Sequence, residues 1–329
     1  MEFVTLPGTD VELSRIALGT WAIGGWMWGG SDEQESIKTI HAALDKGVTT
    51  LDTAPVYGFG RSEEIVGKAI KQYPDKDKIR ISTKVALDWT GEGKVFRNST
   101  PERIQKEVED SLRRLGVDVI DVYFIHWPDT KTPFEDTAAT MCKLKEQGKI
   151  RAVAVSNYSP SQMDAFGAAC SLQACQPPYN LFERAIDEDI LPYCKDKGIV
   201  LVTYGALCRG LLSGKMRKDR EFQGDDLRKA DPKFQEPRYA QYLAAVDKLK
   251  TLARERCGKD ILPFAVRWVL DRTGGVALWG GRRPDQMDPI PDILGWSIDT
   301  QTMAEVDRIL DETITDPVGP EFMAPPERA

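Results

Sequence analysis

Short runs of β-branched and apolar residues alternate with helical periods from one end of this sequence to the other, and nothing else constrains its fold so strongly. Residues 16–21 open the series as a strand. Residues 31–46 follow as a helix, capped at Ser31 and stopped by Gly47. Then come TTLDTAPVYG as strand and loop, RSEEIVGKAIKQY as helix, IRISTKV as strand and TPERIQKEVEDSLRRLG as helix. The last has Thr100 to accept from free backbone N–H groups, Pro101 at the first helical position and Gly116 at its end. VIDVYFIHW, IRAVAVSNY, LQACQPPYN, IVLVTYG and VALWGG continue the strands, and a polar loop over 212–236 precedes a helix over 238–257. The count is eight strands, nearly continuous in apolar residues. Strands of that kind are buried on both faces, which occurs in parallel sheets covered by helices. An open, doubly wound sheet would favour G-x-G-x-x-G directly after its first strand, and LGTWAIGG does not place its glycines that way. The expected fold is therefore a closed (β/α)8 TIM barrel forming one domain over 1–329. FVTLPGTDVELS reads as an N-terminal β-hairpin lying over one end, and extra C-terminal helices, one near 300–310, precede an irregular tail.

Chemistry in such a barrel collects where the strands finish. The second strand ends in Asp52 and leads to Tyr57, the third ends in Lys84 and the fourth in His126, so these four groups converge on one rim. A phenol is a poor acid at neutral pH, and a neighbouring ammonium favours its ionised form, so Lys84 is expected to lower the pKa of Tyr57. Asp52 is placed to pair with Lys84, and His126 to orient a substrate oxygen. Together they describe a tuned general acid beside a carbonyl group. His41, mid-helix in SIKTIHAALDKG, reads as structural.

Composition narrows the partners. A net charge of −7 argues against a nucleic-acid surface, and no apolar run approaches the length of a membrane span. The N-terminus lacks a basic region followed by an apolar stretch, so a cytoplasmic protein is expected. The six cysteines, none in a C-x-x-C pair and with two histidines in the whole chain to join them, predict free thiols and no metal site.

The segments LDTAPVYGFGRSEEIVGKAI, STKV, VYFIHWPD, IRAVAVSNYSPSQM and YGALCRGLLSGK resemble the aldo-keto reductases, in particular a bacterial, general-stress-type branch that shares the Y-G-x-L-C-R-G-L-L segment. The resemblance runs from about residue 19 to residue 286. It implies that Asp52, Tyr57, Lys84 and His126 form a catalytic tetrad with Tyr57 as acid and base. It implies further that Ser156, Asn157 and Gln176 hold a nicotinamide carboxamide, with Tyr204 stacked on the ring. Gly205, Leu207, Arg209 and Gly210 would follow the pyrophosphate, and Gly280, Gly281, Arg282 and Gln286 the adenosine-phosphate end. Gly19, Thr20 and Trp21 would touch cofactor and substrate. Loops after strands seven and eight are the usual phosphate site of this fold, and a guanidinium fork suits a phosphate dianion, which supports Arg282 with Arg283 on independent grounds. Where many members carry a Glu-Asn pair for adenine, this chain reads Asp288-Pro289-Ile290.

The function implied is NADP(H)-dependent oxidoreduction of small carbonyl compounds and alcohols by a monomer, with NAD(H) as the alternative cofactor. Trp26, Trp28, Trp89 and Trp127, with the 212–236 loop, are the expected pocket lining, and Trp26 and Trp28 read equally well as packing residues. Two other readings compete: a lyase forming a Schiff base on Lys84, and a cofactor-binding regulatory subunit.

Overall fold

The computed structural model describes residues 1–328; Ala329, the last residue of the expected domain, lies outside the described residues. The apolar runs become the strands β1 (Ile16–Gly19), β2 (Thr50–Asp52), β3 (Arg80–Val85), β4 (Ile120–Ile125), β5 (Ile150–Ser156), β6 (Ala174–Gln176), β7 (Val200–Thr203) and β8 (Val276–Gly280). Each is parallel to its neighbours, and β8 pairs with β1 to close the barrel. Alternation along the strands builds two apolar layers. Ala17, Val122, Phe124, Ala152, Ala154, Val202 and Leu278 point inward, where Leu6, Val11 and Leu13 of the N-terminal hairpin (Phe3–Thr5 paired with Glu12–Ser14) plug the lower end. Leu18, Leu51, Ile81, Tyr123, Ile125 and Val153 point outward into the helices.

Those helices are α1 (Glu33–Asp45), α2 (Arg61–Gln72), α3 (Pro101–Leu115), α4 (Phe134–Glu146), α5 (Pro160–Gly167), α6 (Ile190–Lys197), α7 (Arg238–Cys257), α8 (Ile261–Thr273) and α9 (Thr300–Thr313). The α3 caps are as read, with Thr100 accepting from the Arg103 amide and Gly116 in the left-handed region. At α1 the cap moves by one residue. Asp32, not Ser31, accepts from the Glu35 amide at 2.8 Å, the geometry of a side chain serving a free N–H of the first turn. Two helices, α7 and α8, lie between β7 and β8, and α7 packs against α9. The 212–236 segment carries short 3-10 turns at Leu227–Lys229 and Pro232–Phe234. Among the described residues no helix is long and apolar enough to cross a membrane.

One expectation is corrected. Cys142 on α4 and Cys170, just beyond α5, form a disulfide with Cα atoms 5.7 Å apart. They stand 28 residues apart in sequence, and only the side-by-side packing of the two helices brings them together. Cys175, Cys194, Cys208 and Cys257 are free, the first three of them buried.

Candidate active site

Strand register sets the rim. Gly19 pairs with Asp52, Asp52 with Ser82, Lys84 with Phe124, and Ser156 with Gln176, so the polar ends of β1 to β6 stand at similar heights. At the centre, the Lys84 ammonium donates to Asp52 Oδ1 at 2.5 Å and to the Thr53 carbonyl at 2.9 Å. Lys84 has no exposed surface and Asp52 about one per cent, so each charge depends on the other. Ser82 Oγ (2.7 Å) and Gln176 Nε2 (3.0 Å) donate to the second Asp52 oxygen. The carboxylate is thereby held on both sides.

Tyr57 stands over this pair, with the Lys84 nitrogen 5.1 Å from its ring centroid. Its backbone is seated against the one-turn helix Trp21–Gly24, where a Cβ on Gly24 would lie 2.5 Å from the Tyr57 carbonyl oxygen. The Trp21 ring stacks on the phenol at 5.8 Å, and the His126 ring meets it edge-on at 5.7 Å. The Tyr57 hydroxyl makes no hydrogen bond among the described residues. The expected lowering of its pKa is corrected: burial, reinforced by the Asp52 carboxylate, holds the phenol well above its usual value. Asp52, at contact distance from the ammonium, offsets part of the effect of Lys84 on the neutral phenol, and desolvation prevails. Burial likewise draws Lys84 down against the pull of Asp52 and Glu63. Burial first, then the Lys84 charge, keeps His126 well below its ordinary value, so the imidazole is neutral at pH 7. The site therefore presents a protonated phenol and a neutral imidazole, and both can donate hydrogen bonds.

Beside these groups, Asn157 adopts a left-handed backbone (φ +62°) at the end of β5. Its amide nitrogen donates to the His126 carbonyl (2.9 Å) and to Ser156 Oγ (3.0 Å), and its oxygen accepts from the Tyr204 hydroxyl (2.9 Å). Ser156 Oγ donates to the Gln176 carbonyl at 2.7 Å. The amide and hydroxyl groups at the ends of β5 and β6 thus form one network with the Tyr204 ring. Thr20 faces Asp52 by both its amide and its hydroxyl, each 2.9 Å from the Asp52 carbonyl.

On the far side the rim is nearly bare. Gly19 pairs with Gly280, and a Cβ on Gly280 would meet nothing nearer than the Gly19 carbonyl at 4.0 Å. Gly205 and Gly210 have φ of +75° and +96°, values that favour glycine. Leu207 is half-buried between them. Gln286 Oε1 gathers the amides of Arg282 (2.7 Å) and Arg283 (3.0 Å), folding the loop that contains Gly281. The Arg282 guanidinium donates to the Trp28 carbonyl. The Arg209 guanidinium is buried and held by Glu183 and, at 2.5 Å, by Asp231.

Several contributors escaped the sequence reading. Ser82 lies two residues before Lys84, hence on the same inward face, and that period was its signal. Asp225 accepts from the Met27 (2.8 Å) and Gly29 (2.9 Å) amides, joining the 212–236 segment to the loop after β1. The tail crosses to Arg97, whose amide donates to the Pro326 carbonyl at 3.0 Å and whose guanidinium contacts Glu327 at 3.0 Å. Local patterns gave no sign of either connection.

Comparison with known proteins agrees with this fold. The profile of the Aldo/keto reductase family matches residues 15–311. The chain is 55% identical to aldo-keto reductase YhdN of Bacillus subtilis (strain 168), over 100% of this chain and 99% of that one. It is 36% identical to the NADH-specific methylglyoxal reductase of Escherichia coli (strain K12), over 87% of this chain and 91% of that one. The solved structure of glycerol dehydrogenase AKR11B4 from Gluconobacter oxydans superposes with a TM-score of 0.89 at 54% identity, covering 98% of this chain and 99% of that one.

Proposed function

We propose that this chain, which belongs to the aldo/keto reductase family and is an oxidoreductase, interconverts aldehydes or ketones and alcohols with Tyr57 as the proton donor and acceptor. The observation that carries this reading is the buried Asp52–Lys84 pair beneath a protonated phenol, with neutral His126 edge-on to the same ring. In the reducing direction, the Tyr57 hydroxyl and a His126 N–H hold the carbonyl oxygen, and Tyr57 passes its proton to that oxygen as negative charge develops. Lys84, fixed by Asp52, places a positive charge near the phenolate left behind. Alcohol oxidation reverses the transfer.

Aldo/keto reductases use nicotinamide cofactors, and the donor set here fits one. The Ser156, Asn157 and Gln176 groups suit a carboxamide, the Tyr204 ring suits a flat heterocycle, and the bare rim from Gly205 to Gly280 and Gly19 leaves room for a backbone-bound pyrophosphate. When bound, the nicotinamide supplies or accepts the hydride. Arg282 and Arg283 after β8 favour NADP(H), since a 2′-phosphate gives their guanidinium groups a dianion to grip. The E. coli relative is named as NADH-specific, so cofactor preference is the finer question.

The Schiff-base alternative is disfavoured because the Lys84 nitrogen is fully buried and tied to Asp52 and Thr53. The test is a panel of aldehydes, ketones and alcohols assayed with NADPH and NADH in both directions. Carbonyl-dependent oxidation of NADPH is expected; absence of turnover with both cofactors would overturn the reading.

A further inference from the structure

Ser62 and Glu63, in the first turn of α2, are fully buried polar residues, and the reaction described above uses neither. A carboxylate without exposed surface is costly to keep unless it is paired and hydrogen-bonded. Glu63 meets that condition from two sides. Its Oε1 accepts from the Thr83 hydroxyl at 2.6 Å, and its Oε2 accepts from Nε of Arg114, on α3, at 2.6 Å. Thr83 precedes Lys84 on β3, so the groups run Lys84, Thr83, Glu63, Arg114 from the barrel interior outward. The Glu63–Arg114 ion pair thus turns its negative end toward Lys84. The same turn of α2 reaches Tyr57, since the Ser62 amide donates to the Tyr57 carbonyl at 3.1 Å.

Few other ionisable groups face this line. Asp52, Tyr57 and neutral His126 surround Lys84, and Tyr204 lies beyond Tyr57. On α3, Arg114 also contacts Glu107, which Arg103 shares, and the Tyr123 phenol of β4 lies among the charges of Glu63, Glu107, Arg103 and Arg114. Burial holds the Tyr123 and Tyr204 phenols far above their usual range, so both stay protonated. Burial also draws Lys84 down, and Glu63 joins Asp52 in opposing it.

We propose that Glu63 is a positioning residue for Lys84: bonded to Thr83, it fixes the end of β3 at the rim, and its charge helps to keep Lys84 an ammonium beside Tyr57. This rests on the reading of Tyr57 and Lys84 given above. Asp52 takes a hydrogen bond from the ammonium and offsets part of its pull on a phenolate. Glu63 supports the same charge from behind the strand and takes no hydrogen bond from it, since the Lys84 donors go to Asp52 and Thr53.

The test is the pH dependence of single-turnover reduction by NADPH, between about pH 6 and 10, of the fastest aldehyde in the panel above. It compares wild type with Glu63→Gln, Glu63→Asp and Arg114→Met. Reduction needs a protonated phenol and a charged Lys84, and as pH rises the two lose a proton as one coupled system. Removing a nearby negative charge lowers the pKa of both groups. In Glu63→Gln the fall in rate at high pH should therefore move down by roughly 0.5–1 pH unit, the scale of one charge acting across a protein interior. Near pH 9 that is a loss of about three- to tenfold, against less than about twofold near pH 6.5. Glu63→Asp keeps the charge and should leave the fall within about 0.3 pH unit of wild type. Arg114→Met removes the outer positive charge and should move the fall upward, and it carries the test where Glu63→Gln does not fold. A prop without electrostatic effect would lower the rate at every pH and could not move the Glu63→Gln and Arg114→Met profiles in opposite directions. Coincident profiles, a uniform loss of rate, shifts of one sign in both variants, or a shift in Glu63→Asp as large as in Glu63→Gln would overturn the role of Glu63 and leave Tyr57 standing. Absence of turnover with every aldehyde in the wild type would overturn both.

Discussion

Lys84→Met keeps the length of the side chain and deletes its charge, which isolates what the buried pair does. The ammonium is fully buried and donates to Asp52 at 2.5 Å and Thr53 at 2.9 Å. In the variant, Asp52 keeps its contacts with Ser82 and Gln176 but has no cation. Removing one member of a buried ion pair costs about 3–5 kcal/mol, and the two surviving donors place the loss toward the lower end. A 329-residue chain has an unfolding entropy of roughly 0.7 kcal/mol/K, so the melting midpoint should drop by about 4–7 °C. Circular dichroism melts without cofactor read that shift directly. Removing both charges, in Lys84→Met with Asp52→Leu, should restore at least half of the lost stability, since a paired deletion leaves no stranded carboxylate. Neither variant should recover carbonyl reduction. A Lys84→Met protein that melts with the wild type would refute the claim that this pair is a mutually dependent buried contact. Recovered activity in the double variant would refute the role of its charge in the reaction.

Two further outcomes follow from the same geometry. Because the folded-state pKa of His126 lies well below the unfolded value near 6.5, only the unfolded chain gains this proton as pH falls through that value. Its contribution to stability should therefore weaken by about 1.4 kcal/mol per pH unit below about 6.5, a slope that His126→Gln should remove from urea-unfolding curves and that parallel curves would disprove. Arg282→Ala should raise the NADPH dissociation constant roughly tenfold to a hundredfold, the scale of one charge-assisted phosphate contact. NADH binding should change little, and equal weakening of both cofactors in fluorescence titrations would mean that Arg282 acts through its hold on the Trp28 carbonyl instead.

The barrel was legible because strands buried on both faces leave near-continuous apolar runs, and the polar residues that end them stand out. Asp52, Lys84 and His126 could be placed on one rim for that reason. What stayed hidden joins distant segments. The family resemblance placed Arg209 along the pyrophosphate but gave no sign that Glu183 and Asp231, from other parts of the chain, hold its guanidinium. Cys142 and Cys170 meet only through helix packing, and the docking of the tail on Arg97 has no local pattern. The pKa of Tyr57 was misjudged for a related physical reason. Position in the sequence revealed a lysine nearby, but not how closely Asp52 would pair with it or how far burial would act on the phenol.

The central claim is that Tyr57 moves the proton, and Tyr57→Phe tests it most directly. Phenylalanine can keep the ring contacts with Trp21 and His126, and no hydrogen bond is lost among the described residues. Stability should therefore change by less than about 0.5 kcal/mol, or about 1 °C in the midpoint. Cofactor affinity should hold as well. In single-turnover and steady-state reduction of an aldehyde by NADPH, kcat should fall at least about a hundredfold, the scale of a lost general acid. Turnover within a few-fold of wild type, in a variant that folds and binds cofactor normally, would contradict the account.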